Sequence, residues 1–368
     1  MNRTALQLLA EYGQSPWLDA LSRALLSSGQ LERLVRERGI RGVTWNASVL
    51  RQAIRAGSHY DPQIQADAER SPETILRALA VTDVQRACDL LHPVWQESRG
   101  ADGYVSLAVD PRLATDSERT SEQATLLREL VGRPNFMVAI AATTAGVDAV
   151  EDSIAVGIPV NATLIGSPER YRDVVQAYRR GIERLLESGG DPASVAAVAS
   201  VRVPRIDVEV DRRLEACGGE AMRLRGRLAI ANAKLIYEHH KDAFGSARWR
   251  ALEARGARRL RCLWAAESTS AYPSVFYVEE LIGAETVSAM SLETVEAFER
   301  DGVLADKLER ETDDARRVLR DVQAAGVDLA DVWTTLEAEE VRTLVDRFEA
   351  LLAAVRSKRT AARRRADR

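Results

Sequence analysis

Lysine is scarce in this 368-residue chain: only Lys234, Lys241, Lys307 and Lys358 stand among 51 basic side chains, and the rest are arginine. Chemistry that needs a primary side-chain amine therefore has four places to find one. Cysteine is scarcer still. Cys88, Cys217 and Cys262 are odd in number and far apart, which excludes a disulfide framework and a CxxC metal site. No window approaches the roughly 20 apolar residues a membrane helix needs, and the N-terminal MNRTALQLLAEYGQ carries charge where a signal peptide would be apolar. A soluble protein of the reduced cytoplasm is expected. Excess charge of one sign is missing too: 51 basic against 55 acidic groups leave a net charge of -4, so no broad positive field exists for nucleic acid or anionic lipid. Aromatic residues make up only 5% of the chain, but hydrophobic residues make up 46%, enough for a large aliphatic core.

What is present is alternation. Short apolar runs at 15–19, 42–46, 104–109, 135–141, 159–165, 195–203, 261–266 and 286–291 are separated by amphipathic helical stretches, the pattern of a β/α fold with a parallel sheet. The segment SPERYRDVVQAYRRGIERLLESGG reads as a complete helix, with a Ser/Pro/Glu start and a Gly189-Gly190 stop. Eight strands close a barrel. A (β/α)8 barrel typically takes about 250 residues, so the excess is assigned to helical additions at 47–103 and 304–356. No linker separates two halves. One domain over 1–355 is expected, followed by a basic, solvated and disordered tail at 356–368. The neighbours His239 and His240 would point about 100° apart on a helix, which makes them poor joint metal ligands.

The strand motifs resemble the transaldolase family, in its longer bacterial form. The likeness runs through Trp17-Leu18-Asp19, the GVTWN stretch from Gly42 to Asn46, YDPQI at 60–64, ADGYVSLAVDPRLA at 101–114 and RPNFM at 133–137. It continues through VNATLI at 160–165, ERYRDV at 169–174, VDRRL at 210–214, AIANAKLIY at 229–237 and YVEELIG at 277–283. The resemblance implies a (β/α)8 TIM-type barrel that needs no metal or cofactor. In that family a lysine on the fourth strand forms an imine with a ketose phosphate, and the imine then accepts the electrons of C–C cleavage. Such an amine must be neutral to attack, which a partly desolvated barrel interior favours. An Asp on the first strand, a Glu on the third and a Thr move protons.

Where the family pattern resembles N-L-M-I-K-I-P-A-T, this chain reads NFMVAIAAT, with Ala139 at the lysine position. Where the pattern reads S-L-E-V, Ala108 takes the place of the glutamate. Trp45 enters the second strand motif, Arg202 joins the phosphate-type Arg205 on the sixth, and Glu267 follows a shortened seventh. Asp19 and Thr163 remain as proton-moving groups, with Asn46, Trp45, Asn161, Ser200, Arg202, Arg205 and Glu267 as substrate-binding candidates. Each also has a structural alternative: Trp45 as a plug, Arg202 with Glu267 as an ion pair, Asn46 and Asn161 satisfying each other through water. The expected ligand is a small molecule in the barrel mouth, with neither nucleic acid nor membrane as partner and the oligomeric state open. Three functional readings follow: noncovalent isomerisation, cyclisation or elimination on a specialised metabolite, a catalytically silent binding or scaffold protein, and residual pentose-phosphate transaldolase activity.

Overall fold

A computed structural model describes residues 3–266, 272–273 and 275–366. Eight strands close into a barrel in chain order: β1 (Gln14–Leu18), β2 (Gly42–Thr44), β3 (Val105–Ala108), β4 (Phe136–Ala141), β5 (Val160–Ile165), β6 (Ala197–Val201), β7 (Arg261–Ala266) and β8 (Thr286–Met290). Every neighbouring pair is parallel, and β1 returns to β8 with Trp17 opposite Ala289. This is a (β/α)8 TIM-type barrel, as the alternating pattern predicts.

The strands bury both faces, so they read as apolar runs rather than alternations. The interior is filled by Trp17, Tyr104, Met137, Val198, Leu263, Val287 and Ala289. Gly42 is required beside them, because a Cβ there would lie 2.4 Å from the Trp17 indole. At the N-terminal end of the barrel Asp102, 5% exposed, ties the strands together. Its carboxylate accepts from Ser15 Oγ at 2.5 Å, Arg41 Nε at 2.9 Å, Arg261 at 3.0 Å and Trp17 Nε1 at 3.2 Å. Burial pushes this carboxyl up, but Arg261, Ser15 and Arg41 outweigh it and hold the group below its ordinary value. The opposite, C-terminal end is left for the site.

The helical additions do not stay apart. Helices Ala47–Ala56, Asp61–Ala66 and Pro72–Glu97, inserted between β2 and β3, bury Leu50, Ile54, Tyr60, Ile64 and Leu79 against Leu351, Leu352 and Val355 of the C-terminal helix. That last helix spans Leu329–Ala366, 38 residues and hence about 57 Å. It corrects the expectation of a disordered tail. Lys358 Nζ donates to Gly57 O at 3.0 Å and Asp61 at 2.8 Å, while Arg359 and Arg363 both donate to Ala68 O. Basic residues suit a helix C-terminus electrostatically, and these have acceptors within reach in the inserted segment, at Asp61 and in the connections between its helices. No helix among the described residues is long and apolar enough to cross a membrane.

Candidate active site

The strand termini at the C-terminal face converge on a cavity of about 170 Å³ lined by Asp19, Thr44, Trp45, Asn46, Ser106, Ala108, Ala139, Asn161, Thr163, Ser200 and Arg202. Eight of the site residues expected from sequence, Ala108 and Ala139 included, therefore share one mouth with Arg202. Arg205 stands just outside it, in the neighbouring cavity, and Glu267 lies outside the described residues.

Two polar groups build the mouth. Asp19, one residue beyond β1, accepts from Thr44 Oγ1 at 2.5 Å and from Asn46 Nδ2 at 3.0 Å. Asn46 is oriented for this because it caps the helix Ala47–Ala56, its Oδ1 accepting from Ser48 N at 3.0 Å and Val49 N at 3.4 Å. The second group is a buried chain across three strands. Ser200 Oγ donates to Asn161 Oδ1 at 2.6 Å, and Asn161 Nδ2 donates to Ser106 Oγ at 3.2 Å. Asn46 and Asn161 thus belong to different networks and do not satisfy each other. Thr163 Oγ1 donates to Ile140 O at 3.3 Å, which leaves its lone pairs for a ligand. Beside it Leu164 adopts φ 63°, at the register shift between β5 and β6. A left-handed leucine costs on the order of 1 kcal/mol or more, and such strain gathers at functional sites.

Ala108 and Ala139 are direct partners across β3 and β4, and both open onto the cavity. All four lysines are engaged elsewhere: Lys234 with Arg310 O, Lys241 with Glu309, Lys307 with Glu280 and Lys358 with Asp61. Trp45 is half-buried and lines the cavity without filling it. A smaller apolar recess of about 60 Å³ continues from it past Ala108, Ala139 and Ala141 to Phe348. Among the described residues no three His, Cys, Asp or Glu side chains converge to hold a metal ion.

Sequence reasoning missed the roof. Leu344 and Arg347 of the C-terminal helix close over the mouth. One and two turns before them, Glu340 takes Arg205 Nε at 2.7 Å and is also bonded to Arg202, and Glu337 takes Arg170 at 2.9 Å. The periodicity of LEAEEVRTLVDRF announces a helix, but which surface it covers is a tertiary fact with no local signal. Arg202 accordingly has a described partner on this helix.

Residues 16–355 match the family model for transaldolase and fructose-6-phosphate aldolase. The chain belongs to that family. It is 43% identical to a transaldolase of Mycolicibacterium paratuberculosis, over 94% of this chain and 95% of the relative. A transaldolase of Acidothermus cellulolyticus is 41% identical over 98% of both chains, and one of Thermobifida fusca 42% identical over 94% of this chain and 96% of its own. These relatives correct the first functional expectation. Near-full-length similarity at this level to proteins named transaldolase favours that activity over noncovalent chemistry rebuilt for a specialised metabolite.

Proposed function

We propose that this barrel serves the transaldolase reaction class, taking an acyclic ketose phosphate in its mouth and cleaving off a three-carbon glyceronyl unit. The observation that carries the reading is the near-full-length similarity to proteins named transaldolase. The polar groups of the mouth support it. Asp19 would accept the proton of the ketose hydroxyl next to the breaking bond. The electron pair of that bond would pass to the substrate carbonyl, whose oxygen would accept from the second N–H of Asn161 Nδ2; the shortened aldose phosphate would leave as its aldehyde, and the enediolate would add to the acceptor's aldehyde, whose oxygen takes the proton from Asp19.

Ala139 and Ala108 set the rate. The resemblance gives those positions to the imine-forming amine and the acid/base carboxylate, and among the described residues no lysine lines the mouth. Loss of a covalent nucleophile leaves residual catalysis by binding and electrostatics, about 10³-fold over water in serine proteases. Slow turnover is therefore expected. The same two alanines favour a second reading, a homologue that binds the ketose phosphate and leaves it intact.

The test is fructose 6-phosphate with an aldose phosphate acceptor, followed by product analysis, binding calorimetry and borohydride reduction with intact-mass measurement. Product above the blank supports the first reading; saturable binding without product supports the second. Neither binding nor product overturns both. No added dihydroxyacetone mass is expected after reduction, since such a mass would require an imine on one of the four engaged lysines.

A further inference from the structure

We propose that Glu340 is a specificity-determining residue: its carboxylate occupies the anion subsite made by Arg202 and Arg205, and a substrate's phosphate enters by displacing it. This rests on the sugar-phosphate reading above and adds a named competitor for the phosphate. The pair of arginines is bridged by one carboxylate, with Oε1 on Arg205 Nε at 2.7 Å and Oε2 on Arg202. Glu340 is only 5% exposed. Carboxylate and phosphate oxygens are interchangeable acceptors for a guanidinium fork, so the bridge already has the chemistry of a bound phosphate.

A second observation concerns how the helix is fastened. From 337 to 350 its only buried side chain is Glu340; the apolar anchors lie at Val332 and Leu336 on one side and at Leu351 and Leu352 on the other. The stretch that roofs the mouth through Leu344 and Arg347 is thus held over the barrel by the ion pairs of Glu337 and Glu340, with Phe348 alone packing against the apolar cluster of the inserted helices. Beneath it, a cavity of about 230 Å³ reaches Arg202, Arg205, Arg170 and the start of the helix Pro168–Glu187 at Ser167. There is space beside the arginines for an anion to approach while both ends of the helix stay anchored. Phosphate uptake and loosening of the roof are then one event, and ligands without an anionic group leave the clasp shut.

The experiment titrates inorganic phosphate and fructose 6-phosphate separately into the native chain, Glu340→Gln and the control Glu349→Gln, whose carboxylate pairs with Arg112 outside this cavity, at constant ionic strength held with chloride. Calorimetry reads affinity, and amide hydrogen exchange reads residues 337–348. Glu340→Gln is expected to bind phosphate about tenfold more tightly than the native chain, with Glu349→Gln unchanged. In the native chain phosphate should speed exchange in 337–348, and this arm stands even if removing the buried charge impairs folding. Equal affinities, no phosphate binding at all, or protection of 337–348 on binding would each overturn the clasp. Tighter binding of the sugar phosphate than of free phosphate identifies substrate as the occupant; equal binding identifies the phosphate group alone. Product analysis reads turnover and not this bridge, so the two proposals fail separately.

Discussion

Two buried carboxylates, Asp207 on the helix Val203–Cys217 and Asp102 just before β3, behave with opposite sign toward pH. Asp207 is fully buried and accepts from Ala229 N at 2.8 Å and Tyr277 OH at 3.0 Å. Burial, assisted by nearby Asp211, pushes its carboxyl up to about 7 against those hydrogen bonds. The folded chain therefore holds this proton more tightly than the unfolded chain does. Its contribution is complete below the ordinary carboxylate range and is lost as pH rises from about 4 to about 7. Asp207→Asn keeps an acceptor for the Ala229 amide and cannot ionise. The difference in stability between variant and native chain should grow across that window to a few kcal/mol in the variant's favour. Thermal melts from pH 4 to 8 measure it, and parallel curves would refute the assignment. Asp102 runs the other way, because its carboxyl is held down: its contribution is present above the ordinary carboxylate range and is lost toward acid. Asp102→Ala leaves Arg41 and Arg261 without their shared partner, at a cost of about 3–5 kcal/mol by denaturant titration. Since Asp102 lies at the far end of the barrel from the mouth, phosphate affinity in this variant should match the native chain.

At the scale of elements, the C-terminal helix joins parts of the chain that local sequence cannot connect. Leu351 is fully buried between it and the helices inserted after β2. Leu351→Ala should cost about 2–5 kcal/mol, and because the helix also roofs the mouth, limited proteolysis should first cut between 329 and 366. Cleavage in the barrel helices instead would show that the roof is no less stable than the wall. All eight strands were legible, since a strand buried on both faces is a dense apolar run. Their ends were less so. Trp45 and Asn46 were read into the second strand, yet β2 stops at Thr44 because Asn46 caps the next helix. Asp19 likewise lies just past β1. Both shifts move the side chain from the barrel wall to its mouth. The basic terminus is illegible for a different reason: RSKRTAARRR has no apolar periodicity of its own, and Arg359 and Arg363 find their acceptor, Ala68 O, in a turn some 290 residues earlier.

For the whole molecule, the mouth residues Asp19, Asn46, Asn161, Thr163 and Ser200 could be read from strand-end motifs, whereas Thr44, Ser106 and Glu340 could not. The first two resemble ordinary strand hydroxyls until the barrel closes, and Glu340 comes from a remote helix. The frame around the two alanines makes a strong prediction. Ala108 and Ala139 face the same cavity as direct cross-strand partners, with Trp45, Leu263, Ala265 and Ala289 around them. A lysine placed at 139 would project among apolar neighbours, which lowers its proton affinity and keeps a fraction of the amine neutral for attack. Ala139→Lys alone should gain a borohydride-trapped dihydroxyacetone adduct from fructose 6-phosphate. Adding Ala108→Glu places a carboxylate where the resemblance puts the proton-transfer group, a change worth about 10²-fold or more in cleavage rate. The adduct tests the amine, and the rate tests the carboxylate. Should the double variant bind fructose 6-phosphate and still form no adduct, the barrel must differ from an imine-forming one in more than two side chains. If it fails to bind the ketose at all, the obstacle is the roof of Leu344 and Arg347. Glu340→Gln in the same background should then restore the adduct, because releasing the clasp reopens the route to position 139.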